Sequence, residues 1–522
     1  MLINWDSFAG MELGNTKQSL LRDYRSAVDA LNTKLWDGSL RPYRTPTLVG
    51  SCSGSFVLDN DFKPVCQSSC AAYAMSPCGT NKLYSLKGGY LHRGDAAVGL
   101  ARPLQKPSVT VSGKGEGDSI RLRVLCLNDD GEYSPPSEMS DMITPKYGDA
   151  VIVQWSGCSP YRVQALLTQS ISGNREVGKD KTEWLTVGDF KSSVAVFNFE
   201  PEGWALTSDG FDANSFCNPP ELSCFVVTED GFFAGWNKNL LYISERHDPS
   251  KFMRVNIKNL FANILDVVTA KSVLYISTDQ GIYVARLDPT KDGVQVSIAK
   301  THENAIPIVG TLSAINSAAM YATPYGMHII DEAGRQPQNV SSQFIAEDEF
   351  KEKWLPVTGV SQRGTYYATT KTESWHLDYP SSSGDTAQYG RLVRLDKLGS
   401  HQFAGRDGIV YYSDSGGVKA FNQGKSFLSA EWRSTDARMP SRTGLSRYKV
   451  IGENLEGVKM LIYADDKLAF TDTLTTSKIC VLPRCVIGSR FSVKFIIPAK
   501  SVETVIKQLQ LATSVQELAR VS

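Results

Sequence analysis

One pattern returns along the second half of the chain and restricts its fold more than any other feature. The copies read "LLYISERHDPSKF", "VLYISTDQGIYVARL", "AMYATPYGMHIID", "TYYATTKTESWHLDY" and "IVYYSDSGGVKAF". Each is a short aromatic strand, a turn of small and polar residues, and a second apolar strand. With Tyr242, Tyr275, Tyr321, Tyr367 and Tyr411 as matching positions, the steps are 33, 46, 46 and 44 residues. Most of these fit the period of about 40 to 50 residues shown by four-stranded propeller blades. "NKLYSLKGGYLH", with Tyr84, is an earlier copy placed before a segment of another kind. The expected fold is mainly β: a β-propeller interrupted by an insertion, with strands from both sides closing the ring.

The insertion is marked by a change to strict alternation. In "SIRLRVLCLNDDGEYSPPSEMS", Ile120, Leu122, Val124 and Cys126 fall on one side and Arg121 and Arg123 on the other, as in a half-buried strand. Asp130-Gly131 then suits a tight turn, and Pro135-Pro136 ends the pairing. The turn resembles the Gly-Glu-x-Ser-x-Pro-Ser turn of fibronectin type III modules, which implies a β-sandwich over roughly 105–200 with the charged turn as a solvated loop. "SGKGEGDS", with Gly113, Gly115 and Gly117, has neither dinucleotide nor P-loop spacing and reads as a hairpin or bulge.

The ends read differently. Leu20, Tyr24, Ala27, Val28, Leu31 and Leu35 recur at three- and four-residue steps, which predicts a helix, and Gly38 and Pro42 stop it and leave an extended arm. After "SAEWRSTDARMP", "YKVIGENLEGVKMLIYADDKLAF" reads as a strand pair and "RFSVKFIIPA" as another strand, while the final "VETVIKQLQLATSVQELARVS" suits strand then turn. The expected order is an N-terminal helix and arm (1–48), first propeller strands (49–104), the inserted module (105–200), propeller blades (201–430) and a C-terminal β-rich closing region (431–522).

Composition sets aside several function classes. The 522 residues carry 55 Lys and Arg against 55 Asp and Glu, so no net charge advertises a nucleic-acid or membrane-surface partner. No apolar run is long enough to span a bilayer as a helix. Asp6 and Ser7 stand where a secretory leader needs a basic and then an apolar stretch, which predicts synthesis inside a cell. Ten cysteines are sparse, and the expectation is reduced thiols. Cys52, Cys66, Cys70 and Cys78 bunch together, yet their spacing lacks paired knuckles and a nearby His, so no metal is assigned to them. "CVLPRC" at Cys480–Cys485 is a weaker candidate still.

Catalytic motifs are weighed and set aside in the same way. None of His92, His247, His302, His328, His376 and His401 sits in a two-His zinc motif. "GSCSG" around Cys52 has the outline of a nucleophile elbow without its helix. "STDQGIY" and "SDSGG" resemble the Asp-box turn of sialidase-like propellers but lack its aromatic ending, so Asp279 and Asp414 read as turn residues. In "SERHDPSKF", Glu245, His247 and Asp248 are conceivable acid, base and ligand. Successive residues of an extended chain point to opposite sides, so Arg246 and His247 cannot share a focus, and a salt-bridged corner is expected. No catalytic, cofactor-binding or metal residue is assigned, and no cofactor is expected.

Taken together, "FAG", "LNTKLWDGSLRP", "NDDGEYSPPSE", "NPPELSCFVVTEDGFFAGWNKNLLYISERHDPSKF" and "AEWRSTDARMP", in that order, resemble the tail hub or nozzle proteins of double-stranded DNA bacteriophages, the tail tube family of short-tailed phages. The marks are Asn32, Gly38, Pro42, Pro219, Pro220, Gly231, Gly235, Tyr242, Ser244, Glu245, Pro249 and Phe252. The resemblance implies a structural, non-enzymatic virion protein, assembled in the host bacterial cytoplasm. It implies a homohexameric ring below the portal and head-to-tail adaptor that carries fibres or spikes. The ring would continue the channel through which double-stranded DNA passes during genome ejection, without sequence-specific binding. The alternative is a glycan-binding or sialidase-like propeller acting in receptor recognition.

Overall fold

The structure is a computed structural model that describes residues 2–11, 25–35, 37–52, 54–59, 61–66, 70–113, 117–129, 132–168, 184–206, 216–290, 293–301, 306–334, 336–342, 344–379 and 392–519. Leu20, Tyr24, the Asp130-Gly131 turn, Gly115 and His302 lie outside them. The described chain is mainly β, as the alternation requires, and divides into two compact units. One comprises Met1–Ser68, Leu265–Ala285 and Ile298–Ser522; the other comprises Ser69–Ile264 and Arg286–Ser297.

The repeat is a series of antiparallel meanders. Ser313–Ile315, Ala318–Thr323, Gly326–Ile330 and Gln338–Asn339 form one, and Thr358–Gln362, Thr365–Thr369, Ser374–Asp378 and Leu392–Leu395 the next. In the last, His401–Ala404, Val410–Asp414 and Gly417–Ala420 are completed by Thr47–Gly50 from the N-terminal arm. The turn after the second strand uses one recurring device. Thr323 Oγ1 accepts from the Tyr325 amide at 3.1 Å and donates to the Gly326 carbonyl at 3.4 Å. Thr278 does the same with Gln280 and Gly281, at 3.2 and 2.8 Å. Asp414 accepts from the Gly416 amide at 2.8 Å. These local bonds close the turn without help from the core, and so "STDQG" and "SDSGG" are turn chemistry here.

The 33-residue step in the repeat is a register error. Tyr242 lies on the third strand of its meander, Leu240–Glu245, whereas Tyr275, Tyr321, Tyr367 and Tyr411 lie on second strands. The true second strand is Phe233–Asn237. Counted from the last residues of the second strands, Asn237, Thr278, Thr323, Thr369 and Asp414, the steps become 41, 45, 46 and 45.

The N-terminal helix is not there where it is described: Ala27–Leu31 is a strand. It runs parallel to Leu392–Leu395 and antiparallel to Ala430–Ser434, with Ala27 and Ala30 fully buried. Two flanking strands offer a hydrogen-bond partner on each edge, and that tertiary pairing outweighs the helical spacing of the apolar residues. The same sheet continues through Ile487–Ile497, Lys459–Ala464 and Lys467–Thr473. A second sheet pairs Leu2–Trp5, Val505–Ala512, Arg447–Glu453 and Ile479–Val481. The final segment is thus strand and turn as expected, followed by a short helix, Val515–Ala519. Phe8 sits edge-on against Trp432, with ring centroids 4.9 Å apart, and the Trp432 indole donates to the Ala9 carbonyl at 3.0 Å.

The inserted segment folds as two antiparallel sheets over one core. Ser108–Ser112, Ala150–Gln154 and Val194–Asn198 form the first, and Ser119–Cys126, Tyr161–Thr168, Trp184–Phe190 and Ala205–Leu206 the second. Ile120, Leu122 and Val124 meet Val151, Val153, Tyr161 and Val163 between them. Gly113 and Gly117 therefore carry the chain from one sheet to the other rather than around a hairpin.

The expectation of reduced thiols is overturned at six positions. Cys52 bonds Cys66, Cys70 bonds Cys224 and Cys126 bonds Cys158. The fold holds the paired Cα atoms 5.5 to 5.8 Å apart, the spacing a disulfide needs. Sequence spacing could not show this, because two of the pairs are 32 and 154 residues apart.

Candidate functional site: a buried ionic junction

The corner Ser244–Phe252 is built from a hairpin with an irregular register between Ser244 and Glu245. Ser244 Oγ accepts from the Phe233 amide at 2.9 Å and donates to the Glu245 carbonyl at 2.7 Å. His247 takes a left-handed backbone, φ 58°, and its amide donates to the Gly231 carbonyl at 2.8 Å. Gly231 has φ 86°, and a Cβ there would lie 2.0 Å from His247 Nδ1, so only glycine lets the two turns pack. Burial, then the Arg246 charge, holds the His247 imidazole below its ordinary pKa.

The charged residues of the corner divide: Glu245 and Asp248 gather on Lys251, while Arg246 bonds elsewhere. Arg246 Nε donates to the Asp230 carbonyl at 2.8 Å. Asp248 Oδ1 accepts from the amide and hydroxyl of Ser250, at 3.1 and 2.5 Å. Lys251 Nζ lies 3.0 Å from Asp248 and 3.6 Å from Glu245, and 5.3 Å above the Tyr133 ring. Glu245 and Asp248 are thus both paired with Lys251, and Asp248 also accepts from Ser250.

Tyr133 leads to the group that the sequence hides. Glu132, read above as part of a solvated loop, is completely buried and sits 2.5 Å from Arg93 Nη1, whose own side chain is 5% exposed. Asn128 completes the carboxylate: its Nδ2 donates to Glu132 Oε2 at 2.7 Å, and its Oδ1 accepts the Glu132 amide at 3.0 Å. Burial raises the Glu132 carboxyl above its ordinary pKa, with Arg93 and Asn128 opposing. Burial also pushes the neighbouring Tyr84 phenol up to about 12, against the pull of Arg93. Arg162 also lies over the Tyr133 ring, 4.5 Å from its centroid, and makes a forked pair with Asp189 at 2.6 and 2.9 Å. Glu132 is thus drawn in by a cation from the Tyr90–Arg93 strand, while the stretch that follows is zipped to the sandwich. Ser134, Ser137 and Ser140 donate their amides to the Cys126, Val124 and Leu122 carbonyls, and their hydroxyls accept the amides of the same three residues at 2.8 to 3.0 Å. Serine at every third position beside Pro135-Pro136 is the sequence signal for this threefold-periodic edge.

The remaining candidates are scattered. Cys52 is disulfide-bonded and is no nucleophile. Cys66 and Cys70 are bonded to different partners, and Cys78 lies among the Ser76 and Thr80 hydroxyls. Among the described residues, no group of three or more His, Cys, Asp or Glu side chains has metal-holding geometry. His92 Nδ1 lies 2.9 Å from the Tyr90 carbonyl, His328 Nδ1 3.2 Å from that of Gly326, and His401 Nδ1 3.4 Å from Ser55 Oγ. His376 is buried, with Nε2 3.1 Å from the Tyr43 hydroxyl and Nδ1 3.4 Å from Asp378, whose carboxylate accepts from Thr365 at 2.7 Å. Burial raises the Tyr43 phenol well above its ordinary pKa, and its hydrogen bond to His376 pins the arm to the meander.

No protein-family model matches the chain, and no curated protein does. Among solved structures it is similar to Hsv2 of Kluyveromyces lactis, at 11% identity over 50% of this chain and 66% of that one, with a TM-score of 0.26. It is also similar to an exo-beta-1,3-galactanase from Phanerochaete chrysosporium, at 10% identity over 77% and 100%, with a TM-score of 0.19. The third is PorZ of Porphyromonas gingivalis, a bacterial surface component of the type-IX secretion system, at 10% identity over 71% and 45%, with a TM-score of 0.21. Scores this low carry no argument about fold or activity.

Proposed function

We propose that the chain is a structural virion protein, a tail hub or nozzle subunit that forms a homohexameric ring, continues the DNA channel below portal and adaptor, and has no enzymatic activity. The observation that carries this reading is that marks of the tail-hub resemblance do scaffolding work. Asn32 is buried and bridges strands through Asp396 at 2.9 Å and the Ser429 carbonyl at 3.1 Å. Gly231 and Ser244 set the corner, and a Cβ on Gly235 would meet Leu222 at 2.6 Å. The six meander copies are the blades of a β-propeller in this reading, and the sandwich is its fibronectin-III-like insertion. Consecutive first strands support it: the Gly359 amide donates to the Gly310 carbonyl at 3.0 Å, Ser361 to Ser313 Oγ at 2.7 Å, and Gln362 Nε2 to the Gly405 carbonyl at 2.6 Å. A neutral chain also suits a conduit, since a lumen dense in Lys and Arg would hold phosphates through counterion release. The test is the mass of the purified protein with negative-stain imaging. A closed ring supports the reading, and a monomer that cleaves or binds glycans overturns it.

A further inference from the structure

We propose that Cys70 and Cys224 form an oxidative lock that closes after the chain has folded, when a small-molecule disulfide such as oxidised glutathione reaches it. Cys70 directly precedes the strand Ala71–Met75, and Cys224 opens the strand Cys224–Val227, the first strands of two meanders. The bond joins them across 154 residues that contain the whole sandwich. Both meanders are already held together without it. The Leu222 amide donates to the Gly89 carbonyl at 2.7 Å, and Asn218 Nδ2 reaches the Leu100 carbonyl at 3.4 Å. Tyr84 and Phe233 pack edge-on at 4.9 Å, within a core that also takes Leu86, Leu91, Leu222, Phe225 and Phe252. The two sulfurs are therefore brought together by packing, and the bond adds a covalent tie to an assembled interface. Both cysteines are half-buried, within reach of a small oxidant.

A third thiol tests the selectivity of the site. Cys217 packs against the same core, but its Sγ donates to the Phe252 carbonyl at 3.5 Å, and burial raises its pKa. Its raised pKa slows its attack on a disulfide, since the thiolate is the attacking species. In the exchange, one thiolate of the pair attacks a sulfur of oxidised glutathione and releases one glutathione thiolate. The second thiolate then attacks the mixed disulfide and releases the other, so two protein thiols are oxidised while one disulfide is reduced to two glutathione thiols.

The test uses the full chain purified under reducing conditions, then exposed to oxidised glutathione, with thiols trapped by alkylation in denaturant and disulfides mapped by mass spectrometry. The expected result is a folded reduced protein that gains the Cys70–Cys224 bond while Cys217 stays alkylatable. Its melting midpoint should rise by about 5–10 °C on closing a loop this long. The Cys70→Ala/Cys224→Ala double variant should fold, still gain the Cys52–Cys66 and Cys126–Cys158 bonds on oxidation, and lack the part of the rise that the Cys70–Cys224 loop supplies. A reduced chain without cooperative melting, a bond from Cys217 to either cysteine, or the same rise in the double variant overturns the proposal.

Discussion

Removing Arg93 should do far more damage than its place in a short hairpin suggests. Two unit charges whose centres lie about 4 Å apart interact by about 4 kcal/mol at an effective dielectric near 20. Arg93 and Glu132 meet at 2.5 Å with almost no exposure on either side, so that attraction is offset by a desolvation cost of several kcal/mol per ion. The pair contributes little net stability, but breaking it leaves a buried charge with no counter-ion. Arg93→Met should therefore cost about 3–5 kcal/mol at pH 7. Glu132→Gln, which keeps an oxygen for Arg93, should cost about 1–3 kcal/mol. The double variant Arg93→Met/Glu132→Gln should cost less than the two single changes together. The sign with pH follows from the raised carboxyl. A folded pKa above the unfolded one means that the ionised form weakens the fold above it, and this penalty is relieved as pH falls through the folded value toward the ordinary carboxyl range. The cost of Arg93→Met should thus shrink on acidification, and that of the double variant should not. Calorimetry of the four proteins at pH 7 and pH 5 measures this cycle. Single variants within about 0.5 kcal/mol of wild type, or strictly additive losses, would refute the junction as the element that anchors the Asn128–Ser134 stretch.

Three smaller tests bear on other parts of the chain. Gly231→Ala should lower stability by about 2–3 kcal/mol, because φ 86° and the His247 ring both oppose a Cβ, whereas Gly54→Ala, with nothing within 4 Å, should be close to silent in the same denaturant titration. Burial raises the half-buried Asp266 carboxyl to about 6, so its ionised form weakens the fold above that pH and the penalty fades below it. Asp266→Asn should accordingly gain about 1–2 kcal/mol at pH 7 and little at pH 4, read from melting curves. Phe8→Ala, which empties the space against Trp432 and Phe495, should cost about 3–5 kcal/mol and expose Trp432 to a red-shifted emission.

What was legible in the sequence was whatever is written locally. The meander turns are closed by a Thr or Asp bonding residues two or three away, so Asp414 was read as a turn residue, although in "STDQG" the bonds are made by Thr278 where Asp279 was expected, and the alternation of Ile120, Leu122 and Val124 marks a sandwich strand. The salt-bridged corner at Ser244–Phe252 was legible, although Arg246 and His247 form the turn itself, with His247 left-handed, and are not the extended pair expected. What failed was decided by distant partners. Ala27–Leu31 carries a helical spacing, and only the strands at 392–395 and 430–434 make it a strand. Glu132 looks like a loop acid until Arg93, 39 residues earlier, is placed against it. The cysteines looked reduced because the Cys70–Cys224 pair spans a whole inserted module. The slip at Tyr242 arose because the second and third strands of that meander are both aromatic, and the pattern alone cannot tell Phe233–Asn237 from Leu240–Glu245.

The most direct test of the proposed role is the solution mass of the purified 57.3 kDa chain by light scattering, with negative-stain images of the same peak. The tail-hub reading predicts a closed ring of about six copies with a central hole near the width of duplex DNA, built from head-to-tail contacts whose rotation closes. A monodisperse monomer that stays monomeric at high concentration, and with the adaptor ring present, would contradict it.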